Sequence, residues 1–412
     1  MKIAILGFGT VGQGVYNILT KSKKNYQEKF GEAVEVAKIL VYDDNEKNAI
    51  IEKQIVENAE QVLTPDFDEI LTDPEIDLTV EVTSSKDKAI EYIRQSLAAG
   101  KHVTTANKSA IAADFMNLQE LAIKNNVHLK FEASVGGGIP VLAPLSRVVA
   151  FNEISKLHGI INSSTNYVLT ELCKGRDLDE VMVEARELGI LEADPTDDVA
   201  GYDARRKLAI LAMMILQIDI AEENVSSFGI TQVDSHDTEI LREQGYDLKL
   251  IAELLSGEEA GLKENQFAIS VFPTAIKDSK FSRVNGMMNE VAFFGSHSGE
   301  LRFYGAGGSM YPTANAIVSD IYEILTTEPI YFPALENSYE DVSEDIESSF
   351  YIRIPEKLMD DKSILDEINS LAEKVIQNDK EVIIFSKAIS NQKAIELFEC
   401  GLHIIRINKA ID

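Results

Sequence analysis

Residues 2–12 read KIAILGFGTVG, an apolar run that passes directly into three glycines with the spacing G-x-G-x-x-G. The run Lys2–Leu6 predicts a buried strand, and apolar residues at helical spacing follow the glycines. In this order Gly7 permits a tight turn, Gly9 lets backbone amides approach a pyrophosphate, and Gly12 lets the helix pack closely. The stretch therefore predicts a Rossmann-type dinucleotide-binding domain. Its predicted cofactor contacts are Gly7, Phe8, Gly9, Thr10, Val11 and Gly12.

Strand and helix patterns alternate from there to about residue 140. The predicted elements are strands Val36–Tyr42, Asp77–Val82, His102–Thr105 and Val127–Glu132 and helices Lys86–Ala99 and Asp114–Asn125. Alternation of this kind predicts a parallel, doubly wound sheet, which binds ligands at the carboxyl ends of its strands. Thr83, Ser84 and Lys108 lie just after predicted strands, so we expect them to contact the cofactor, and Lys108 is also a candidate catalytic residue.

The residues after the second strand bear on cofactor choice. An acidic residue there binds the ribose hydroxyls of NAD, whereas NADP requires a cation for its 2′-phosphate. Asp43 and Asp44 are acidic, while Lys47 lies close, so the sequence leaves NAD and NADP both open. Gly12 and Asp43 are further apart than usual, and a long helix end and loop over Lys21–Gly31 would account for the excess.

The composition excludes several classes of protein. A chain of 412 residues suits two or three domains, and 45% hydrophobic with 26% charged residues is typical of a globular protein. The net charge of −29 argues against nucleic-acid binding. Cys173 and Cys400 form no zinc or disulfide pattern, and the sequence predicts neither a membrane span nor a signal peptide. We therefore expect a cytoplasmic protein.

A second region begins near Phe151 and contains an unusual acidic stretch. Its predicted elements are strand Ile154–Ile161 and helices Tyr167–Lys174, Leu178–Leu188 and Leu208–Ile218. Five carboxylates fall within residues 192–203, more than helix capping explains, and such a cluster suits a substrate ammonium group. Asp203 and Lys207 are four residues apart, which predicts an ion pair on one helical face. A lysine can polarise or protonate an oxygen in a carbonyl–alcohol interconversion, while nicotinamide carries the hydride.

The chain resembles the homoserine dehydrogenase family over about residues 1–335. The matching segments are Gly7–Gly12, Thr105–Lys108, Glu132–Pro140, Ser164–Tyr167, Glu192–Thr196 with Asp198, Gly201, Asp203, Ala204 and Lys207, Gly245–Tyr246 with Lys249–Leu250, Tyr304–Gly307 and Pro312–Ala314. The resemblance implies NAD(P)-dependent interconversion of aspartate 4-semialdehyde and homoserine, in threonine and methionine biosynthesis. It also implies a homodimer formed through the sheet of the middle domain.

The resemblance also implies roles for individual residues. Lys108 and Lys207 would be catalytic, although the resemblance does not distinguish which of the two lysines donates the proton. Asp203 would bind the substrate and orient Lys207. The remaining implied contacts are Glu192, Asp198 and Thr165 to the amino-acid end of the substrate, Gly305 to the nicotinamide, and Glu132, Val135, Gly137 and Ile139 to a monovalent, sodium-type cation.

Three positions depart from the family pattern. Ser163 lies where members usually have a glycine, and Ile190 replaces a common tyrosine. Tyr42 lies where many members have an arginine for the NADP 2′-phosphate.

The expected fold class is α/β with three parts. These are a Rossmann domain at residues 1–140, to which 312–333 return, a central α+β substrate and dimerisation domain at 141–311, and, after a linker at 334–349, an ACT-like α+β module at 350–412. The module's predicted elements are strands Phe350–Ile354, Glu381–Ser386 and His403–Ile407 and helices Lys362–Val375 and Asn391–Glu399. The module resembles the amino-acid-sensing ACT modules that often provide feedback by threonine in this family. The Asp-x-Pro-Gly turn typical of their first ligand loop is absent after the first of these strands, which favours a structural or oligomerising role over a threonine sensor.

The residues leave other functions to compare. The leading alternative is another Rossmann-type dehydrogenase that acts on a different amino-acid aldehyde or hydroxy acid. A phosphorylating semialdehyde dehydrogenase needs a thiolate nucleophile, and neither cysteine is suitably placed. A nucleotide-binding regulator without catalysis has little need of Lys108, Asp203 and Lys207 together.

Overall fold

The computed structural model describes residues 1–31, 33–332, 339–377, 381–408 and 411. The strands are β1 (Lys2–Leu6), β2 (Glu35–Leu40), β3 (Leu63–Thr64), β4 (Leu78–Glu81), β5 (His102–Thr105), β6 (Leu129–Lys130), β7 (Ile154–Ile160), β8 (Ser226–Ser227), β9 (Asp247–Ser256), β10 (Gln266–Ile276), β11 (Met288–Gly295), β12 (Gly299–Ala306), β13 (Glu340–Asp341), β14 (Glu347–Ile354), β15 (Ala372–Gln377), β16 (Val382–Ser386), β17 (Ile389–Ser390) and β18 (His403–Asn408). The α-helices are α1 (Thr10–Phe30), α2 (Asp44–Glu52), α3 (Ala59–Val62), α4 (Phe67–Leu71), α5 (Lys86–Ala98), α6 (Lys108–Asn125), α7 (Leu142–Val148), α8 (Ser163–Cys173), α9 (Leu178–Glu187), α10 (Thr196–Val199), α11 (Tyr202–Leu216), α12 (Ser235–Glu243), α13 (Met310–Thr326), α14 (Lys362–Leu371) and α15 (Asn391–Glu399).

The chain divides into two compact units. The first comprises Met1–Arg147, Met213–Asp219 and Gly308–Glu336, and the second comprises Val148–Ala212, Ile220–Gly307 and Asn337–Asp412.

The first unit contains a sheet with the strand order β3-β2-β1-β4-β5-β6, in which all neighbours are parallel. This is the Rossmann order, and it places the turns after β2 and β4 on either side of the turn after β1. The strands are apolar because helices cover both faces of a parallel sheet, and Ile3, Ile5 and Val80 are fully buried. The predicted Rossmann-type fold is confirmed.

Helices of the first unit differ from the predictions at their ends. Helix α1 runs through the Lys-rich stretch to Phe30 and ends at Gly31 (φ +77°), so a long helix explains the spacing between Gly12 and Asp43. Helix α6 begins at Lys108, six residues earlier than predicted, with a kink at Asp114 (φ −146°). Lys108 is therefore the first residue of a helix.

The second unit contains a mixed sheet with the order β12-β11-β7-β9-β10-β18-β14-β16-β15. The C-terminal strands belong to this same sheet, because β18 pairs with β10 in parallel and with β14 antiparallel. A shared apolar core reinforces the connection, since the rings of Phe228 and Phe272 stack 4.5 Å apart and pack with Phe350. The ACT-like identity of residues 350–412 stays a prediction.

The structure forms strands in two C-terminal segments that were predicted as linker and helix. Residues 334–338 of the predicted linker lie outside the described residues, but Glu340–Asp341 pair with β10, and Ser343 Oγ accepts a hydrogen bond from the backbone of Ile269 at 2.8 Å. The helix predicted to Val375 ends at Leu371, and Ala372–Gln377 instead form β15, antiparallel to β16. Pairing with a neighbouring strand has overridden the helical pattern there.

A buried charge cluster joins α12 to β14. Asp237 is fully buried, and its Oδ1 accepts hydrogen bonds from the Tyr351 hydroxyl (2.9 Å) and from Arg353 Nε (2.6 Å). Burial raises the pKa of Asp237, but His403 and Arg353 outweigh burial and hold that pKa well below its usual value. The ionised carboxylate therefore depends on these two partners.

We expect Arg353→Met to destabilise the second unit by about 3–5 kcal/mol, because it leaves a buried carboxylate without its guanidinium partner. Since folding depresses the pKa of Asp237, the stabilisation is present above the ordinary value of 3.8 and lost as the pH falls below it. Thermal unfolding followed by circular dichroism should therefore show a large difference from wild type at pH 7 that shrinks at pH 3. An equal difference at both pH values would contradict this account.

Candidate functional site

The turn between β1 and α1 explains each of its three glycines. Gly7 has φ +100°, which only glycine adopts without strain. A Cβ on Gly12 would lie 2.2 Å from the carbonyl oxygen of Gly7, so no side chain fits there. A Cβ on Gly9 would meet no described atom within 4 Å, so packing within the protein does not require this glycine. The open space at Gly9 fits a ligand that must approach the backbone closely.

The first turn of α1 suits a phosphate. Gly9 is the N-cap, no described side chain caps the helix there, and the first turn carries no acidic residue. Unbonded N–H groups at a helix N-terminus bind anions. Gly9 and Thr10 are exposed, whereas Phe8 is buried against Tyr16, so a cofactor could reach Phe8 only through its backbone.

The turn after β2 presents an aromatic ring and a cation. Asp43 caps α2, with its Oδ1 accepting a hydrogen bond from the backbone of Glu46 at 2.9 Å, which lowers the pKa of Asp43. Tyr42 is 81% exposed, and the Nζ of Lys88 in the first turn of α5 lies 5.2 Å from its ring centre. The fold therefore places the cation of Lys88 beside Tyr42, the position at which the resemblance leads us to expect an arginine.

Lys108 comes after a hydrogen-bonded network around Glu81 that was not predicted from the sequence. Glu81, the last residue of β4, is fully buried and accepts hydrogen bonds from Thr83 and Thr105. Asn107 caps α6, and Lys108, its first residue, is half-buried. The only signal in the sequence was an acidic residue within the apolar run Asp77–Val82.

In the second unit, the start of α11 brings a lysine and two carboxylates together. Lys207 Nζ donates to Asp203 Oδ2 at 2.7 Å and to the backbone carbonyl of Ile161 at 2.8 Å, so the predicted ion pair is present. Asn162 Nδ2 bridges the acids, donating to Asp198 Oδ1 at 2.6 Å and to Asp203 Oδ2 at 2.8 Å. Lys207 is 9% exposed and Asp203 3% exposed, so the pair is held in a largely desolvated position.

Asn162 is a second residue whose role the sequence did not reveal. It lies two residues after the end of β7 and caps α8, where its Oδ1 accepts a hydrogen bond from the backbone of Thr165 at 2.8 Å. Burial raises the pKa of Asp198, and the nearby Asp203 raises it further, while the hydrogen bond from Asn162 opposes both. A substrate ammonium group would relieve this excess of negative charge.

Three other predicted site residues lie in different surroundings. Thr165 is fully buried and its hydroxyl donates to Asn162 Oδ1 at 2.8 Å, so it orients Asn162. Glu192 is exposed and makes no hydrogen bond or ion pair with a described residue. Gly305 lies within β12, paired with Asn289 of β11.

The predicted cation loop combines a buried acid with unbonded carbonyls. Both carboxylate oxygens of Glu132 accept backbone hydrogen bonds, from Val141, Leu142 and Ala143 at 2.6–2.9 Å, so this side chain caps α7. The carbonyls of the other three predicted ligands accept no hydrogen bond from a described residue; these are Val135, Gly137 and Ile139. The loop therefore offers backbone oxygens, which suit a sodium-type ion, and the Glu132 carboxylate beside them accepts three backbone hydrogen bonds.

Two further observations concern the reactivity of Cys173 and the helices that could cross a membrane. Burial raises the pKa of the Cys173 thiol, which opposes the thiolate that a phosphorylating semialdehyde dehydrogenase needs. Among the described helices, none has the length and apolarity required to cross a bilayer.

Family models match two successive parts of the chain. Residues 7–132 match a family model described as homoserine dehydrogenase, NAD binding domain, and residues 140–322 match one described as homoserine dehydrogenase. A homoserine dehydrogenase of Bacillus subtilis is 36% identical over 327 residues, covering 79% of this chain and 73% of that protein.

Solved structures show the same similarity. A homoserine dehydrogenase from Thiobacillus denitrificans superposes with a TM-score of 0.84 at 27% identity, covering 99% of this chain and 98% of that one. A hyperthermophilic archaeal homoserine dehydrogenase in complex with NADPH gives a TM-score of 0.65 at 26% identity, covering 80% and 99%. The chain belongs to the homoserine dehydrogenase family of NAD(P)-dependent oxidoreductases.

Proposed function

We propose that Lys207 and Lys108 are the catalytic lysines for the interconversion of aspartate 4-semialdehyde and homoserine. The observation that carries this proposal is the desolvated Lys207, held by Asp203 and by the carbonyl of Ile161. An ammonium group has three N–H donors, and these two contacts use two of them. The third can bond the substrate oxygen, where charge develops as the carbonyl is reduced.

The other acids of the second unit would bind the amino-acid end of the substrate. Asp198 and Glu192 supply carboxylates for its ammonium group, and Asn162 holds Asp198 in place. Asp203 is a positioning residue for Lys207 in this scheme, since it shares a helical face with the lysine.

The first unit would hold the dinucleotide. Backbone amides of the Gly7–Gly12 turn would bind its pyrophosphate, and Thr83, Ser84 and Lys108 lie at the ends of β4 and β5 on the same edge of the sheet. When bound, the nicotinamide carries the hydride. The Gly305 strand and the loop after it are proposed to contact the nicotinamide, and the carbonyls of Val135, Gly137 and Ile139 a sodium-type ion.

Assembly and location are proposed from the family resemblance. A homodimer would form through the sheet of the second unit, and the protein would function in the cytoplasm, where cysteines such as Cys173 and Cys400 stay reduced. We propose a structural role for residues 350–412, since a 3₁₀ turn at Glu356–Leu358 replaces the glycine turn expected of a threonine sensor.

The test is a spectrophotometric assay with L-homoserine and NAD or NADP at alkaline pH, following the reduced cofactor. Turnover with either cofactor supports the proposal, and the ratio of the two rates gives the preference. Absence of turnover with both, in protein shown to be folded, would refute it.

Lys88 gives a specific expectation for cofactor preference. We expect Lys88→Ala to weaken NADPH binding about tenfold, because it removes one charge-assisted contact to the 2′-phosphate. NADH lacks that phosphate, so its affinity should change less than twofold. Fluorescence titration of both reduced cofactors measures the ratio directly. Lys53→Ala, which removes an exposed lysine beyond the end of α2, is the control for net charge. An equal loss for NADPH and NADH would exclude a 2′-phosphate contact.

A further inference from the structure

We propose that Glu81 is a positioning residue that fixes the cofactor-contacting turn at Thr83 and the start of α6 at Lys108 in a single arrangement. The proposal rests on the roles given above to Thr83 and Lys108. It assigns Glu81 no contact with substrate or cofactor.

The carboxylate of Glu81 lies where two strand ends meet. Its Oε1 accepts hydrogen bonds from the backbone N–H of Thr83 at 2.7 Å and from the Thr83 hydroxyl at 2.6 Å. Its Oε2 accepts a hydrogen bond from the Thr105 hydroxyl at 2.6 Å. One side chain thus holds the turn after β4 and the end of β5.

A second set of hydrogen bonds extends this arrangement to α6. The backbone N–H of Asn107 donates to Thr105 Oγ1 at 2.9 Å, and Asn107 Nδ2 donates to the carbonyl of Thr83 at 3.2 Å. Asn107 Oδ1 accepts a hydrogen bond from the backbone of Ala110 at 3.0 Å and so caps α6. Displacing Thr105 would therefore move the cap that determines where Lys108 lies.

Fold stability alone gives little reason for a carboxylate at this position. Glu81 is fully buried in a strand of the parallel sheet, and Leu78 and Val80 of the same strand are apolar. Burying a carboxylate in such surroundings is costly. Burial raises the pKa of Glu81, while the hydrogen bonds from Thr105 and Thr83 oppose that rise. An apolar residue would serve the strand equally well. What the carboxylate adds is the simultaneous orientation of three donors from two different turns.

The test compares Glu81→Gln with Thr79→Val, a control on the same strand and the same face, equally buried and two residues away. Glutamine keeps one oxygen for Thr83 but offers an N–H where Thr105 needs an acceptor. We expect Glu81→Gln to raise the NADPH dissociation constant and to lower kcat, each by about tenfold, the loss of a hydrogen bond to a charged group. Thr79→Val should leave both within about twofold. Measurements are made well below each melting temperature, where a purely structural role leaves the affinity of the folded protein unchanged.

Thr105→Val removes the same hydrogen bond from its other partner, so it tests the proposal if Glu81→Gln folds poorly, and it too should weaken NADPH binding and lower kcat. Where Glu81→Gln folds, the double variant should bind NADPH within about twofold of the weaker-binding single variant, because the two residues act through one hydrogen bond. Wild-type affinity and kcat in folded Glu81→Gln, or equal losses in Thr79→Val, would overturn the proposal. NADPH binding is measured without substrate, so failure of the proposed function would appear separately, as wild-type protein that binds NADPH but does not turn over homoserine.

Discussion

Replacing Lys207 by alanine is expected to lower kcat by about a thousandfold, the usual size of the contribution of a group that protonates or hydrogen-bonds the reacting oxygen, and to leave NADPH affinity within about twofold. The reason for this division lies in the placement of the residues. Lys207 bonds Asp203 and the carbonyl of Ile161 within the second unit, whereas the Gly7–Gly12 turn belongs to the first. Stopped-flow measurement of the chemical step and fluorescence titration of NADPH give the two quantities independently.

Stability must be controlled in this experiment, because alanine removes the main cation beside the buried Asp203. Lys207→Met, which keeps most of the side-chain volume, should reproduce the loss of kcat in a folded protein. Arg206→Ala removes a neighbouring cation that pairs with Asp197 and Glu222, and we expect it to retain kcat within about threefold. A folded Lys207 variant with strongly weakened NADPH binding would contradict the separation of cofactor binding from proton transfer.

The elements set by local signals could be predicted from the sequence. Strand His102–Thr105 matches its predicted bounds because Gly100 ends the helix before it. Helix Asn391–Glu399 matches its predicted bounds because Ser390 caps its N-terminus. The G-x-G-x-x-G turn is local as well, since the carbonyl of Gly7 alone determines that Gly12 carries no side chain. Patterns within about a dozen residues were sufficient for these features.

Side chains that act across long separations could not be predicted in the same way. The hydrogen bond from Thr105 to Glu81 joins residues 24 apart, and the bond from Asn162 to Asp203 joins residues 41 apart. A sequence shows that Glu81 is acidic in an apolar strand, but only the strand order β4-β5 places it beside Thr105. The motif containing Asn162 was visible, whereas its bridging of two carboxylates depends on how α11 lies against the end of β7.

The surroundings of Glu132 could not be predicted from its motif. The resemblance grouped Glu132 with the backbone carbonyls near Val135, Gly137 and Ile139, and the structure adds three backbone donors to its carboxylate. These donors come from the start of α7, which only the fold brings to Glu132.

The second large effect is expected at Gly9, where valine should weaken NADPH binding about a hundredfold while the protein folds normally. A Cβ at this position meets no described atom within 4 Å, so the protein itself tolerates a side chain. The added methyl groups would occupy the space through which a pyrophosphate reaches the N–H groups of α1, and losing two such charge-assisted bonds costs about 3 kcal/mol or more. Fluorescence titration measures the affinity, and circular dichroism the fold.

Gly12→Ala is the matched control, because it places a methyl group in the same turn with the opposite expected result. Its Cβ would lie 2.2 Å from the carbonyl of Gly7, so the backbone must shift at a cost of about 1–3 kcal/mol, and the melting temperature should fall. If Gly9 is reserved for the ligand and Gly12 for packing, the first variant loses affinity at constant stability, and the second loses stability. A Gly9→Val protein that binds NADPH as wild type would mean that the dinucleotide does not approach this turn, and the assignment of the Gly7–Gly12 turn as the phosphate site would fail with it.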